Sequence, residues 1–244
     1  MSNAAPVKRR FPRWRTLLAS ALSATICLTT AIPARAAEQG QDALAILHSI
    51  RIAQTSQHQS LHGQLNHAGK SVPFHLFIEG PVIRYQFDNP PQNFQLRLLE
   101  KGSRLEELTP DHKVKPTAAR FDDPVAGTDL CLEDLAMRFL YWPKATIEGE
   151  KVMILRPCWV IRAEPGSKSD SQYARVTLWV DKENGALMQA EAFNHSDQIV
   201  KRFKVISGQK IDGVWVLKKM RIESPGGSRQ DRTPTYLEIN SVGK

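Results

Sequence analysis

Apolar and polar residues alternate along most of this chain, and the alternation predicts strands. VIRYQFD puts Ile83, Tyr85 and Phe87 on one face, with Arg84, Gln86 and Asp88 on the other. FQLRLLE repeats the pattern with Phe94, Leu96 and Leu98, and PFHLFIEG follows it with Phe74, Leu76 and Ile78 on the inner face. Gly80-Pro81 and Pro90-Pro91 punctuate these runs. Further strands are predicted over about 152–163, 173–181, 186–194, 198–207, 213–223 and 234–242. Turns are expected at Asn184-Gly185, Ser196-Asp197, Gly208 and Asp212-Gly213. Strict alternation marks antiparallel sheet with one apolar and one wet face.

Two segments change to helical period. From Gly40 onward, Ala43, Ile46, Leu47, Ile50 and Ala53 share a helical face, with Asp42 in the first turn. Leu132, Leu135, Ala136, Phe139 and Leu140 do the same in GTDLCLEDLAMRFLYWPK, with Asp129 offering a cap and Pro143 a stop. The predicted architecture is therefore mainly β, about ten antiparallel strands with one helix before the sheet and one splitting it. A sheet that wide has to curl, and its concave side is where two amphipathic helices bury their apolar faces.

Charge changes the picture only through the N-terminus. Lys8, Arg9, Arg10, Arg13 and Arg15 precede the apolar stretch Leu17 to Leu28 and an A-x-A site at Ala34-Arg35-Ala36. This order reads as a secretory signal over residues 1–36, cleaved near Ala36, with one domain over 37–244 and a periplasmic destination. The apolar stretch is short for a membrane span, which needs roughly 20 residues. Six of the 33 Lys/Arg and none of the 25 Asp/Glu fall in the leader. The remainder carries a net charge of +2 rather than +8, which withdraws the case for a nucleic-acid partner. Cys131 and Cys158 remain in a compartment that favours disulfides. A bridge between them would contribute roughly 3–4 kcal/mol; the alternative is two buried free thiols.

Chemistry-bearing patterns are few. His58, His62 and His67 lack the further ligand and supported geometry that zinc requires, and Gly63 reads as a turn between them. Asp122, Asp123, Asp129, Glu133 and Asp134 lack calcium-loop spacing, and a helix start explains the last three. No HExxH, CxxC, P-loop or G-x-S-x-G occurs, so neither a metal, a cofactor nor an enzyme is expected. Trp159, Trp179 and Trp215 are read as core, with Trp179 on the outer face beside Thr177 and Asp181.

The segments GTDLCLEDLAMRFLYWP, RPCWVIRAEP, YARVTLWVDKENGALMQAEAFNHSDQIVKRFKV and GVWVLKKMRIESP resemble the LolA-like outer-membrane lipoprotein-sorting proteins. More narrowly, they resemble a subfamily with a cysteine before the central helix and a Cys-Trp in the following strand, here Cys131 and Cys158-Trp159. The resemblance spans about Gly127 to Val242. It implies an incomplete, strongly bent antiparallel barrel whose helices fill an apolar cavity that accepts acyl chains of a lipoprotein or lipid. The expected lining is Phe74, Leu76, Ile78, Tyr85, Phe87, Phe94, Leu96, Leu98, Val176, Leu178, Val180 and Phe203, with ordinary core as the alternative for each. Transport members tether the helical lid with a buried arginine; none of Arg51, Arg84 and Arg97 aligns with it, so none is assigned. The expected role is a periplasmic carrier partnered by an acylated protein or lipid and by sorting proteins of the inner or outer membrane. The rival is an envelope sensor or assembly factor that docks a partner on the same fold.

Overall fold

The alternating segments all form strands, and the chain holds more of them than the pattern separates. A computed structural model describes residues 32–111, 113–117, 119–167, 169–211, 214–226 and 233–243. In chain order the elements are helix α1 (Ile32–Thr55) and strands β1 (His58–His67), β2 (Lys70–Glu79), β3 (Val82–Asp88), β4 (Pro91–Leu99), β5 (Gly102–Leu108) and β6 (Val114–Pro116). Helix α2 (Leu132–Ala136) and a 3₁₀ turn (Arg138–Tyr141) follow. Then come β7 (Lys144–Met153), β8 (Arg156–Glu164), β9 (Arg175–Asp181), β10 (Leu187–Phe193), β11 (Ile199–Ile211), β12 (Val214–Glu223) and β13 (Thr235–Gly243). They form one unclosed 13-stranded sheet, ordered β6-β5-β4-β3-β2-β1-β13-β12-β11-β10-β9-β8-β7. Neighbours are consecutive in sequence except at one seam, where β1 pairs antiparallel with β13.

The count of about ten strands is corrected to 13 for identifiable reasons. HQSLHGQLNH is β1 rather than a turn, and its inward positions are Leu61, Gly63 and Leu65. The middle position is glycine because a Cβ there would lie 2.4 Å from the Glu238 carbonyl oxygen and 2.6 Å from the Phe74 ring. β5 and β6 carry too few apolar residues to show a period, since only Leu105 and Leu108 are buried in them. The single strand expected over 152–163 is the end of one strand and most of the next, β7 and β8, joined through Ile154 and Leu155. Both turn residues adopt positive φ (50° and 63°), a conformation costing roughly 1–2 kcal/mol for a residue with a side chain. Neither is a turn former, which hid the turn. Gly208, expected in a turn, instead sits at a bulge within the 13-residue β11.

The second helix also departs from its pattern. Its five predicted apolar positions are all buried, but the helix ends at Met137, which takes a left-handed φ of 43°. The break sends Leu132, Leu135 and Ala136 into one core cluster and Phe139 and Leu140 into another. The cap is Cys131 rather than Asp129: the Cys131 N–H donates to Asp134 Oδ2 at 2.9 Å. The first cluster lies under β1–β5 and includes Ile222 of β12 and Ile239 of β13; the second joins α1 to β7–β10. Phe203 packs against both.

In α1, Ala43, Leu47 and Ile50 are buried, each large side chain worth roughly 1.5–3 kcal/mol, while Ala53 is exposed and Gln54 follows on the buried face. The basic and apolar regions of the expected leader lie outside the described residues, as do Asp212-Gly213 and the side chain of Trp215. The expected cleavage site at Ala34–Ala36 falls within the first turns of α1.

The turn at Asn184-Gly185 is organised by Asp181. Its carboxylate accepts from the Glu183 and Asn184 N–H groups at 2.8 and 3.3 Å and pairs with Arg156, while Gly185 takes φ 71°. Burial alone would push the Asp181 carboxyl up, but Arg156 and the two N–H groups outweigh it and hold it below the usual value of 3.8.

Two outcomes follow. Gly63→Ala should lower the unfolding free energy by about 2 kcal/mol or more in urea titration, because the clash is with backbone. An unchanged midpoint would contradict the close β1–β13 approach. Asp181→Asn should cost about 1–3 kcal/mol at pH 7. A carboxyl held low contributes stability that is lost as pH falls through its folded value. The difference between the two proteins should therefore shrink below pH 3.8, and a constant difference would mean the carboxylate is not the source.

Candidate functional site

The sheet's inner face and the segments over it leave an apolar cavity of about 420 Å³. β1 to β3 contribute Leu61, Leu65, Phe74, Leu76, Ile78, Ile83, Tyr85 and Phe87, because these are the inward positions of their alternation. β10 to β13 contribute Leu187, Ala190, Phe203, Met220, Ile222, Leu237 and Ile239. Leu130, Leu135, Met137 and Phe139 line it from the α2 region. β3 and β10 stand six steps apart in the strand order, roughly 29 Å on a flat sheet at about 4.8 Å per step. For both to line one cavity, the sheet has to bend round it.

The polar wall residues are few: Gln54, Gln57, Gln59 and Asp134. Asp134 belongs to a buried network at the start of α2. Tyr173 donates its hydroxyl to Asp134 Oδ1 at 2.8 Å, and the Cys131 thiol donates to Oδ2 at 3.0 Å. Lys201 Nζ stands 3.8 Å from the same oxygen and donates to the Asp129 carbonyl. Burial, with the Asp134 charge beside it, pushes the Cys131 thiol up to about 12. It is thus a neutral donor at physiological pH and not a nucleophile. Burial likewise drives the Tyr173 phenol well above its ordinary range.

The expected Cys131–Cys158 bridge is corrected by this arrangement, since both cysteines are free and buried. Cys131 is held by Asp134 and Gln172. Cys158 lies in a separate cluster with Trp179 and Met188, its thiol directed to the Arg156 carbonyl. Trp179 is accordingly away from the cavity wall.

Two side chains fasten α1 to the segment over the cavity. Arg51 donates from Nη1 to the Leu140 carbonyl at 2.7 Å and lies 4.9 Å from the Tyr141 ring centre. Gln54 donates from Nε2 to Met137 Sδ at 3.4 Å. Neither residue carries a signal in sequence; each is a polar residue at the border of an apolar helical face.

Of the side chains expected at the cavity, Phe74, Leu76, Ile78, Tyr85, Phe87 and Phe203 lie on its wall. Phe94, Leu96 and Leu98 are buried in the first core cluster, and Val176, Leu178 and Val180 in the second, under α1. Met220 and Ile222 of β12 and Leu237 and Ile239 of β13 are legible as alternation, but not as facing this space; Val216 and Leu217, also on the wall, are consecutive. His62 and His75 form a cross-strand pair with ring centres 4.1 Å apart, while His67 turns to Asp129 at 3.6 Å. Among the described residues no group of three or more His, Cys, Asp or Glu is placed to hold a metal ion. No described helix is long and apolar enough to cross a membrane.

An open antiparallel sheet bent round an apolar cavity, with helical segments over it, defines a LolA-like fold. The structure is similar to a DUF1329 family protein from Desulfovibrio piger, at 18% identity and TM-score 0.65 over 84% of this chain and 92% of that one. It is similar to a putative outer membrane lipoprotein-sorting protein domain from Vibrio parahaemolyticus, at 18% identity and TM-score 0.63 over 83% and 92%. A LolA superfamily protein from Nitrosomonas europaea matches at 14% identity and TM-score 0.59 over 84% and 92%. No curated protein matches. A family model described as that of an uncharacterized protein matches residues 112–242, and the chain belongs to that family.

The Arg51 contact predicts a local effect. In Arg51→Gln, amide hydrogen exchange should rise across residues 137–142 and stay unchanged in β8 and β9. Uniform exchange across the chain would show that Arg51 does not hold this segment.

Proposed function

We propose that the protein is a periplasmic carrier that holds acyl chains of a lipoprotein or lipid in its cavity, and that it is not an enzyme. The single observation that carries this reading is the cavity wall, which is apolar except for Gln54, Gln57, Gln59 and Asp134. Its volume falls within the roughly 300–1,000 Å³ of small-molecule sites. Transfer of a saturated chain from water gains about 0.8 kcal/mol per CH₂, so such a wall binds without any charged contact. The LolA-like fold supports the same reading: the sheet works as an open half-barrel, and α1 with the 3₁₀ turn works as its cover.

Loading is reversible burial. Arg51 and Gln54 release the Met137–Tyr141 segment, Met137 and Phe139 move off the wall, and the chain takes their place. Phe74, Leu76, Ile78, Tyr85, Phe87 and Phe203 then make the apolar contacts. Residues 1–36 direct export and are removed, leaving 37–244 as the working domain. The cargo donor and acceptor are membrane-associated sorting partners.

The test is native mass spectrometry of the protein isolated from a periplasm without detergent. A mass excess that dissociates as an acylated molecule is expected. Leu76→Trp, at a partly exposed wall position, should reduce uptake of a fluorescent fatty-acyl probe about tenfold with an unchanged melting temperature. A bare mass that stays bare after challenge with lipids and acylated peptides would overturn the carrier reading.

A further inference from the structure

Exposed apolar side chains on the described surface are mostly solitary, as on any soluble protein. One group is contiguous. At the end of the β7–β8 hairpin, Val152 is 65%, Ile154 53% and Leu155 95% exposed. Ile154 and Leu155 also hold the two positive-φ positions of the turn, where Asn-Gly would sit without strain and face water. Two unfavourable choices thus coincide at one tip.

The tip is held firmly. Its strands pair up to Met153 and Arg156, while the next strand, β9, pairs with β8 only from Cys158 onward. Residues 153–156 therefore overhang the sheet as a two-stranded ribbon. Behind them Arg156 is anchored to Asp181 and Glu183, and Lys182 donates its N–H to the Pro157 carbonyl at 2.9 Å. Lys182 also pairs with Glu150 and lies 3.6 Å from the Trp159 ring centre. Lys151 lies 5.9 Å from that of Trp179.

We propose that this hairpin tip is a wedge that seats the protein on the interface of a phospholipid bilayer. The order of chemistry along the ribbon is that of an interfacial anchor. Apolar side chains come first, then lysine and arginine with long stems, then the half-buried Trp159 beneath Lys182. Charges of both signs ring the base (Lys151, Arg156 and Lys182 with Glu150 and Glu183), which suits zwitterionic headgroups rather than a partner of one sign. Size decides against a protein partner. Specific protein interfaces bury roughly 1,200–2,000 Å² in total, far more than three side chains supply. Membrane binding instead scales with the few methylenes inserted, and is weak and reversible. The inference concerns docking and is independent of what fills the cavity.

The test uses the purified protein and vesicles of phosphatidylethanolamine with a minor share of phosphatidylglycerol. The double variant Ile154→Asn/Leu155→Gly replaces the tip by an unstrained water-facing turn, so it should fold at least as stably as the wild type. Flotation should show its vesicle partitioning reduced about tenfold or more, with uptake of the acyl probe unchanged. Val114→Asn, which removes an exposed apolar side chain at the β6 edge, should leave partitioning intact. In Leu155→Trp, the added emission should shift to the blue when vesicles are present. Equal partitioning of the double variant and wild type would overturn the proposal, as would no partitioning of the wild type. Wild-type self-association abolished in the double variant, without vesicle binding, would assign the tip to a second copy instead and also overturn it.

Discussion

The pairing of β1 with β13 is the constraint on which the rest depends. It is the only place in the sheet where neighbours are not consecutive in sequence, and it joins residues such as Gln64 and Glu238, 174 positions apart. On either side the chain runs as plain meanders, β1–β6 and β7–β13, whose pairings are local. Without the seam the two meanders present separate apolar faces to water. With it they form one sheet, and the bend that follows encloses the cavity. Gly63 makes the seam possible, since the Glu238 carbonyl and the Phe74 ring occupy the space a side chain would need. Contacts this distant in sequence carry a loop-closure cost that local pairings do not.

The covering segments solve a related problem. A continuous helix from residue 132 to 141 would direct its apolar stripe along a single line. The left-handed break at Met137 divides that stripe between the two core clusters, so that one short segment spans both halves. Polar contacts rather than a covalent bridge secure its ends. Asp134, Cys131, Tyr173 and Lys201 hold the α2 end, and Arg51 and Gln54 hold the 3₁₀ end. The first set is buried and dense. The second comprises two hydrogen bonds and the Arg51 contact with the Tyr141 ring at the border of the cavity, with Arg138 paired to Asp170 besides, and it is the end the carrier reading requires to move.

Exposed features divide along the same lines. Among the described residues, the cavity and the β7–β8 tip are the two groups of neighbouring apolar side chains without protein cover, and they differ in kind. The cavity wall is made of inward strand positions that any sheet of this pattern buries. The tip is made of turn positions where water-facing residues cost less, so its apolar character needs a reason outside the folded chain.

The sequence by itself determined the class of fold, the first helix with its buried Ala43, Leu47 and Ile50, and the inward faces of β2 and β3. Alternation and helical period are local, and each follows from the geometry of one element. The tertiary structure alone decided what covers each inward face. Phe74 and Phe94 have the same alternating signature, yet one meets the cavity and the other is packed core. Val176, Leu178 and Val180 face inward as expected but lie under α1. The same limit explains the cysteines. Their spacing allowed a bridge, while the fold gave Cys131 a carboxylate partner and placed Cys158 in another cluster. A residue's period states which way it points, and only the packing of distant elements states what it meets.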